Sequence, residues 1–442
     1  MKKLILMVAA MALVMPAVTA QKINLASVQA KLEKSDADVA NPKKNGKAAT
    51  WVNRAKIYTD AIVMPTKNIY RTLDVQMLDA QMGVPPTEKK SETIYGYEWV
   101  DVYTKNNKVI GWVVLKDVAP DAYKIVNEAI AKAYELDPAQ APKLNEVIST
   151  LVNYYSELGS GSVDIEQYTT AVDSYIKAAR LQESPACGKV DPKLYFFAGQ
   201  LAAFLGAQNV QYFIDGQNYL ETAQKLGYKD DSGNLYYFLF HCFYGQRVND
   251  RANVVKAKNT LLEGIEKYPR NERILDGLMQ LYTSEDGIGD PRDLVSLIDK
   301  ALAENPNNAD LWFGRGRVFF KLENYDECIA SFMKIDELKP NDYDTNFYLG
   351  YFNIAKGDQV NRAFNERIEN ISSEEEYQKG QREIMDTYMR ALPWLERAHE
   401  LKPENQDCVE YLKQLCFRLR NEPGVMEKYK KYDALYKQMK GL

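Results

Sequence analysis

Apolar and aromatic residues recur along most of this chain at three- and four-residue intervals, in paired runs separated by short polar breaks. That period places them on one face of a helix, so the chain reads as a succession of amphipathic helices joined by tight turns. The pattern is clearest from Ala309 to Asp342, a 34-residue stretch in which Trp312, Gly316 and Phe319 mark a first helix, Cys328 and Phe332 a second, and Pro340 ends it. Pro269, Pro306, Pro340 and Pro403 stand 37, 34 and 63 residues apart, so the long last interval holds one unit plus an insertion. The extra length falls between Asp358 and Tyr388, where Ser372 or Ser373 followed by Glu374, Glu375 and Glu376 is a good helix start. The spacing therefore predicts two lengthened helices projecting as a hairpin, with a kink at Pro393.

Upstream, Tyr236, Leu239 and Phe243 pair with Ala257, Leu261 and Gly264; Tyr195, Ala198 and Gly199 pair with Leu220 and Ala223. Earlier still, Leu144, Val147, Ile148 and Leu151 pair with Ala171, Tyr175 and Ala178. The first pair is split: Trp51, Ala55 and Tyr58 form its first helix, while Val126, Ile130 and Ala133, ending at Pro138, form its second, from near Asp121. Within the gap, Tyr97–Thr104 and Val109–Leu115 are β-branched and aromatic runs joined by Lys105-Asn106-Asn107-Lys108, a β-hairpin with a tight turn. A lone hairpin is marginal in water, so Trp99, Tyr103 and Trp112 need a surface to bury against, and the side of the first helical pair is the expected one. Gly159-Ser160-Gly161-Ser162 reads as a flexible loop. At the far end Val409, Leu412 and Cys416 form a first helix, and after the Asn421-Glu422-Pro423-Gly424 break a polar helix from Val425 to Lys440 caps the stack.

The order large, small, aromatic, small, aromatic, proline at Trp312, Gly316, Phe319, Cys328, Phe332 and Pro340 resembles the tetratricopeptide repeat family. The resemblance implies an all-α fold of helix-turn-helix pairs wound into a right-handed superhelix, here with the small β-hairpin inserted near the N-terminus. The expected organisation is a leader at 1–20, a lead segment at 21–46, and a split first pair at 47–138 with the hairpin at about 93–116. Divergent repeats follow at 139–228, regular repeats at 229–340, a repeat with its insertion (about 359–387) at 341–403, and a terminal pair and cap at 404–442. In that family, repeat positions two, five, nine, twelve and thirteen face the groove. Carried onto this chain they give Phe196 and Phe204; Tyr237, His241 and Tyr244; Phe313, Arg317, Phe320 and Lys321; and Phe347 and Tyr351. The implied groove is aromatic, and the Lys and Asn clamp that some family members use for a C-terminal carboxylate is replaced by Tyr237, Phe313 and Phe347.

Composition narrows the function without naming it. Met-Lys-Lys, an apolar run from Leu4 to Val14 and Val18-Thr19-Ala20 have the form of a cleaved signal peptide, and Gln21 after the cut offers no cysteine for an acyl anchor. The apolar run is shorter than the roughly 20 residues of a membrane span, and no later stretch approaches that length. Loss of Lys2 and Lys3 would move the formal charge from −5 to −7, with both signs well mixed. No basic stripe is present, which argues against nucleic acid as a partner. Most of the 30 tyrosines sit at helical spacing and read as packing residues. Cys187, Cys242, Cys328, Cys408 and Cys416 are an odd set, and the last two stand eight positions apart, about 12 Å of helix, too far for a disulfide; buried thiols are expected.

Enzyme chemistry lacks its parts. His241 and His399 lie in distant units, and no Cys-x-x-Cys pair, His-Glu-x-x-His helix or Gly-x-Ser-x-Gly elbow occurs. Gly314-Arg315-Gly316 falls inside a helix without a Gly-Lys-Ser ending, and Asp286-Gly287-Ile288-Gly289-Asp290 lacks the alternation and final glutamate of a calcium loop, so both read as packing and turn residues. Neither a cofactor nor a metal is expected. The chain reads as a non-catalytic exported scaffold, periplasmic, with the outer membrane or the medium as alternative destinations. Its groove would hold an extended apolar or aromatic segment, or a helix, of an envelope or secreted protein, with Arg317 and Lys321 meeting acidic flanks. The alternative is a chaperone-like assembly factor for outer-membrane or secreted proteins.

Overall fold

The computed structural model describes residues 24–441, in two compact units that divide after Lys229. The leader expected at 1–20 lies outside the described residues.

Unit 1 begins with α1 (Leu25–Ala40) and α2 (Ala48–Val63), followed by α3 (Val75–Met82) and four strands: β1 (Glu88–Ser91), β2 (Ile94–Gly96), β3 (Val100–Lys105) and β4 (Lys108–Val114). It continues with α4 (Ala122–Leu136), α5 (Ala141–Asp164), α6 (Tyr168–Gln182), α7 (Pro192–Leu205) and α8 (Val210–Lys225). α2 packs on α4, and Val52, Ala55 and Tyr58 are buried on the one, Val126, Ile130 and Ala133 on the other. The pairs α5/α6 and α7/α8 follow.

The insertion is larger than a hairpin. Its strands form an antiparallel meander in the order β1-β2-β3-β4. The expected turn is present, with Asn106 and Asn107 both in the left-handed region (φ 50° and 60°), where asparagine is tolerated. The chain before α3 runs along the outer edge of β4, Thr72 donating to the Val109 carbonyl and Val109 to the Leu73 carbonyl, so that edge is not left open. Two expectations fail here. The sheet packs through β4 on α5, not on the side of the first pair, and buries Trp112. Gly159–Ser162, expected as a loop, is the last part of α5. Its small residues let a strand backbone lie against a helix backbone, since a Cβ on Gly111 would stand 2.4 Å from the Gly161 carbonyl oxygen.

Unit 2 is helical throughout its described residues. The pairs are α9 (Asn234–Gly245) with α10 (Ala252–Lys267), α11 (Glu272–Ser284) with α12 (Pro291–Glu304), and α13 (Ala309–Lys321) with α14 (Tyr325–Leu338). The long α15 (Tyr343–Arg367) packs on α16 (Glu374–Met389) and α17 (Leu392–Leu401), and α18 (Gln406–Arg418) with α19 (Val425–Lys440) ends the unit. Asn271, Asn308, Asn324, Asp342, Ser373 and Asn405 each accept an amide hydrogen bond at the start of their helix, satisfying donors that have no partner within the helix. α15 packs on α16, whose start is capped by Ser373. Pro393 does not kink a continuous helix: the helix breaks at Arg390–Ala391, and Pro393 sits in the first turn of α17, where a missing amide costs nothing.

Four cysteines are buried and Cys187 is half-exposed. Burial pushes the Cys408 thiol up to about 12 and the Cys416 thiol up to about 11, leaving almost no reactive thiolate at neutral pH. Iodoacetamide is therefore expected to add a single carbamidomethyl group to the native protein, at Cys187, and five to the urea-unfolded chain. Intact-mass spectrometry reads the count, and a second rapid native adduct would contradict the packing.

Candidate protein-binding face

The site is built from first helices of unit 2, whose outer turns carry the aromatic residues picked out by repeat position. On α9 the Tyr237 and His241 rings meet edge to face at 4.5 Å, and Tyr244 stacks on the buried Phe240 at 5.6 Å. The Tyr244 hydroxyl donates to Glu285 at 2.9 Å, which fixes its ring. On α13 and α15, Phe320 lies 5.7 Å from Tyr351; Phe347 and Tyr351 both stand edge-on to Tyr411 of α18. These half-exposed rings are held by neighbours on their own and adjacent helices and need little reordering to meet a ligand.

Electrostatics tie the rings together across α11. Arg317 donates to Glu272 at 3.1 Å, Tyr348 donates to the other oxygen of that carboxylate at 3.1 Å, and Lys321 pairs with Asp276 at 2.9 Å. Arg273 lies over the Tyr237 ring at 5.5 Å, a cation–π contact. Burial pushes the pKa of His241 down, so the ring is neutral at pH 7 and serves as an aromatic surface. Burial, then Glu285, pushes the Tyr244 phenol up and keeps it a donor.

Several expected site residues are placed differently. Phe313 and Phe196 are buried, 5 % and 6 % exposed. Phe313 packs on Phe332 and Tyr348 beneath Arg270, and Phe196 stacks on Tyr228 at 4.3 Å; in each case an aromatic neighbour covers the position that repeat counting turns outward. Arg317 and Lys321 already hold the acids of α11, so they are not free cations waiting for acidic flanks. Phe204 is the exposed exception, 63 % exposed and edge-on to Tyr168, but it belongs to unit 1 with Phe196 and is described apart from the unit 2 face.

Glu272, Arg273, Asp276, Tyr348 and Tyr411 are face residues that the aromatic pattern passed over. Counting from the start of α11 as from the start of α13 puts Arg273 and Asp276 at positions two and five, so the signal was present but carried by charge. Between Arg270, Phe313, Tyr343 and Phe347 the surface dips into an open pocket of about 380 Å³. Among the described residues no group of three or more histidine, cysteine or acidic side chains could hold a metal. His399 meets Tyr432 edge-on at 5.6 Å, in packing. Gly314 and Gly316 lie inside α13, where a Cβ would meet the Pro269 carbonyl oxygen at 2.8 Å and the Phe332 ring at 2.6 Å, so they serve close helix packing. No helix among the described residues is long and apolar enough to cross a membrane.

Residues 297–330, from within α12 into α14, match the tetratricopeptide repeat family model. A search of curated proteins finds no match. Similar solved structures include the C-terminal part of a TPR repeat-containing protein from Cytophaga hutchinsonii, at 13% identity over 65% of this chain and 95% of that one, TM-score 0.33. A TPR repeats protein from Bacteroides fragilis is 16% identical over 60% of this chain and 97% of its own, TM-score 0.25. YrrB, described as a TPR protein with an unusual peptide-binding site, is 15% identical over 64% and 96%, TM-score 0.24. Scores of this size carry no residue roles across. Residues 297–330 are thus similar to a tetratricopeptide repeat, and they lie inside a run of packed helix pairs.

Proposed function

We propose that this chain is a non-catalytic, exported scaffold that holds an envelope or secreted protein along the first-helix face of unit 2. Tetratricopeptide repeats are protein-interaction modules, and the reading of residues 1–20 as a signal peptide supports export to the periplasm. The observation that carries the reading is the belt of half-exposed rings, Tyr237, His241, Phe320, Phe347 and Tyr351, held by ring contacts with one another and with Tyr411 and by Arg273 over Tyr237. A rigid aromatic surface presents apolar area without the entropy cost of ordering loose side chains. Arg317 and Lys321 beside it are already paired with Glu272 and Asp276, which favours a ligand that offers apolar or aromatic side chains at intervals: an extended segment or a helix.

The double substitution Tyr237→Ser with Tyr351→Ser removes two rings that are not in the core. It is expected to leave helical circular dichroism unchanged and to weaken partner binding by tenfold or more, about 1.4 kcal/mol or above. Quantitative affinity capture from envelope extracts, wild type against variant, reads the loss. Equal recovery of every captured protein by a folded variant would remove this face as the site.

A further inference from the structure

Unit 1 contains a second concavity that the binding face does not use. It measures about 410 Å³ and is walled by the end of α2, the loop leaving β4, the start of α4, and the facing sides of α5 and α6, within the range of small-molecule sites. Three kinds of hydrogen-bond donor converge on it. The first is the amino end of α4. Asp121 enters that helix in the left-handed conformation (φ 54°) and its carboxylate makes no cap, so the amides of Ala122, Tyr123 and Lys124 have no protein acceptor. Uncapped amides at a helix start carry partial positive charge and suit an anion. A non-glycine residue held in that conformation is also strain of the kind that clusters at functional sites.

The second donor is Tyr155, 6 % exposed, whose ring is held edge-on by Tyr123 at 5.5 Å and Tyr154 at 5.1 Å. Tyr155 lines the pocket, and its hydroxyl makes no hydrogen bond among the described residues. Burial pushes its pKa upward, so it remains an O–H donor. The third is the Lys177 ammonium, 5.6 Å from the centroids of both Tyr123 and Tyr155 and paired with Asp173 at 2.7 Å.

Acids supply the complementary half. Asp117 and Asp121 line the mouth with no ion-pair partner, while Ile62, Pro65 and Leu158 give the pocket an apolar wall. The remaining lysines are engaged elsewhere: Lys116 by Glu98 and the Trp99 ring, Lys124 by Glu128. Three lysines against three aspartates leave the lining without net charge, which disfavours a net anion or cation and suits a molecule carrying both signs.

We propose that this pocket binds a small zwitterion of the amino-acid class, its carboxylate at the start of α4 between Tyr155 and Lys177, its ammonium toward Asp117 and Asp121. The test screens the twenty free L-amino acids against the chain from residue 21 by thermal shift, then titrates the best of them by calorimetry. At least one is expected to bind saturably, one per chain. Its N-acetyl derivative and its decarboxylated amine are each expected to bind at least about tenfold more weakly, as are the variants Tyr155→Phe and Lys177→Met, each of which removes a hydrogen bond to a charged group. Lys177 is a third exposed, so Lys177→Met carries the test should Tyr155→Phe fail to fold. Absence of binding by all twenty overturns the proposal, as does binding indifferent to a folded Lys177→Met. Equal affinity for the N-acetyl derivative would assign the pocket to a simple carboxylate or a chain terminus and overturn it too.

Discussion

Phe332→Ala is expected to destabilise unit 2 by about 3–5 kcal/mol, the range for emptying a large aromatic site in a well-packed core. Phe332 is fully buried, with Phe313, Tyr348 and Phe352 at centroid distances of 5.4, 5.4 and 4.8 Å. The surroundings cannot readily close over the void. Gly316 approaches the ring so closely that a Cβ would lie 2.6 Å from it, and the helix backbones on either side are held by their own pairs. Because each repeat is stabilised by its neighbours, the loss also weakens the α13 and α15 interfaces. Tyr348 leans on Phe332 and donates to Glu272, which holds Arg317. The same substitution should therefore loosen the candidate face from beneath. Urea unfolding followed by circular dichroism measures the cost, and a change below about 1 kcal/mol would mean that the core at Phe332 is not the closed one described.

In unit 1, Gly111→Ala is expected to cost about 2–3 kcal/mol by overpacking. The added methyl would meet backbone, the Gly161 carbonyl at 2.4 Å, and not the mobile end of a side chain. Relief requires β4 to move off α5, and the flanking ion pair Arg71–Asp164 is too exposed to hold it there. The expected outcome is a sheet that undocks while the helical pairs persist: unchanged helical signal, lower melting temperature, and new protease cleavage between α3 and β3. Wild-type protease resistance and melting in the variant would show that the strand and helix do not meet at these glycines.

The helical pairs of unit 2 were legible because their signals agree at every level. Small residues such as Gly316 and Cys328 fall at the helix crossing, Phe332 at the centre, and Asn308 and Asn324 at the starts of helices. Strands β1 and β2 gave no such signal: Glu88-Lys89-Lys90-Ser91 is fully exposed and forms a strand only because β2 pairs with it. Gly159–Ser162 misled in the opposite sense. Glycine and serine mark a loop by local preference, yet the spacing of buried residues runs on through Leu151, Tyr155, Leu158 and Ser162, and the small side chains are there to admit β4. For the candidate face, repeat position does not give the depth of each ring. Whether Phe313 is exposed depends on Arg270 and Tyr348 from neighbouring helices, and pairing of Arg317 and Lys321 depends on acids 45 residues earlier.

The measurement that bears most directly on the central claim is photo-crosslinking in the cells that make this protein, from a photoreactive residue at Phe320 on the face and, as control, at Met333 on α14, which is 47 % exposed. The scaffold reading predicts one dominant crosslinked protein from position 320 and none of it from position 333. No product at 320, or the same products from both positions, would contradict it, and a broad set of unrelated proteins from 320 alone would replace a scaffold with a chaperone.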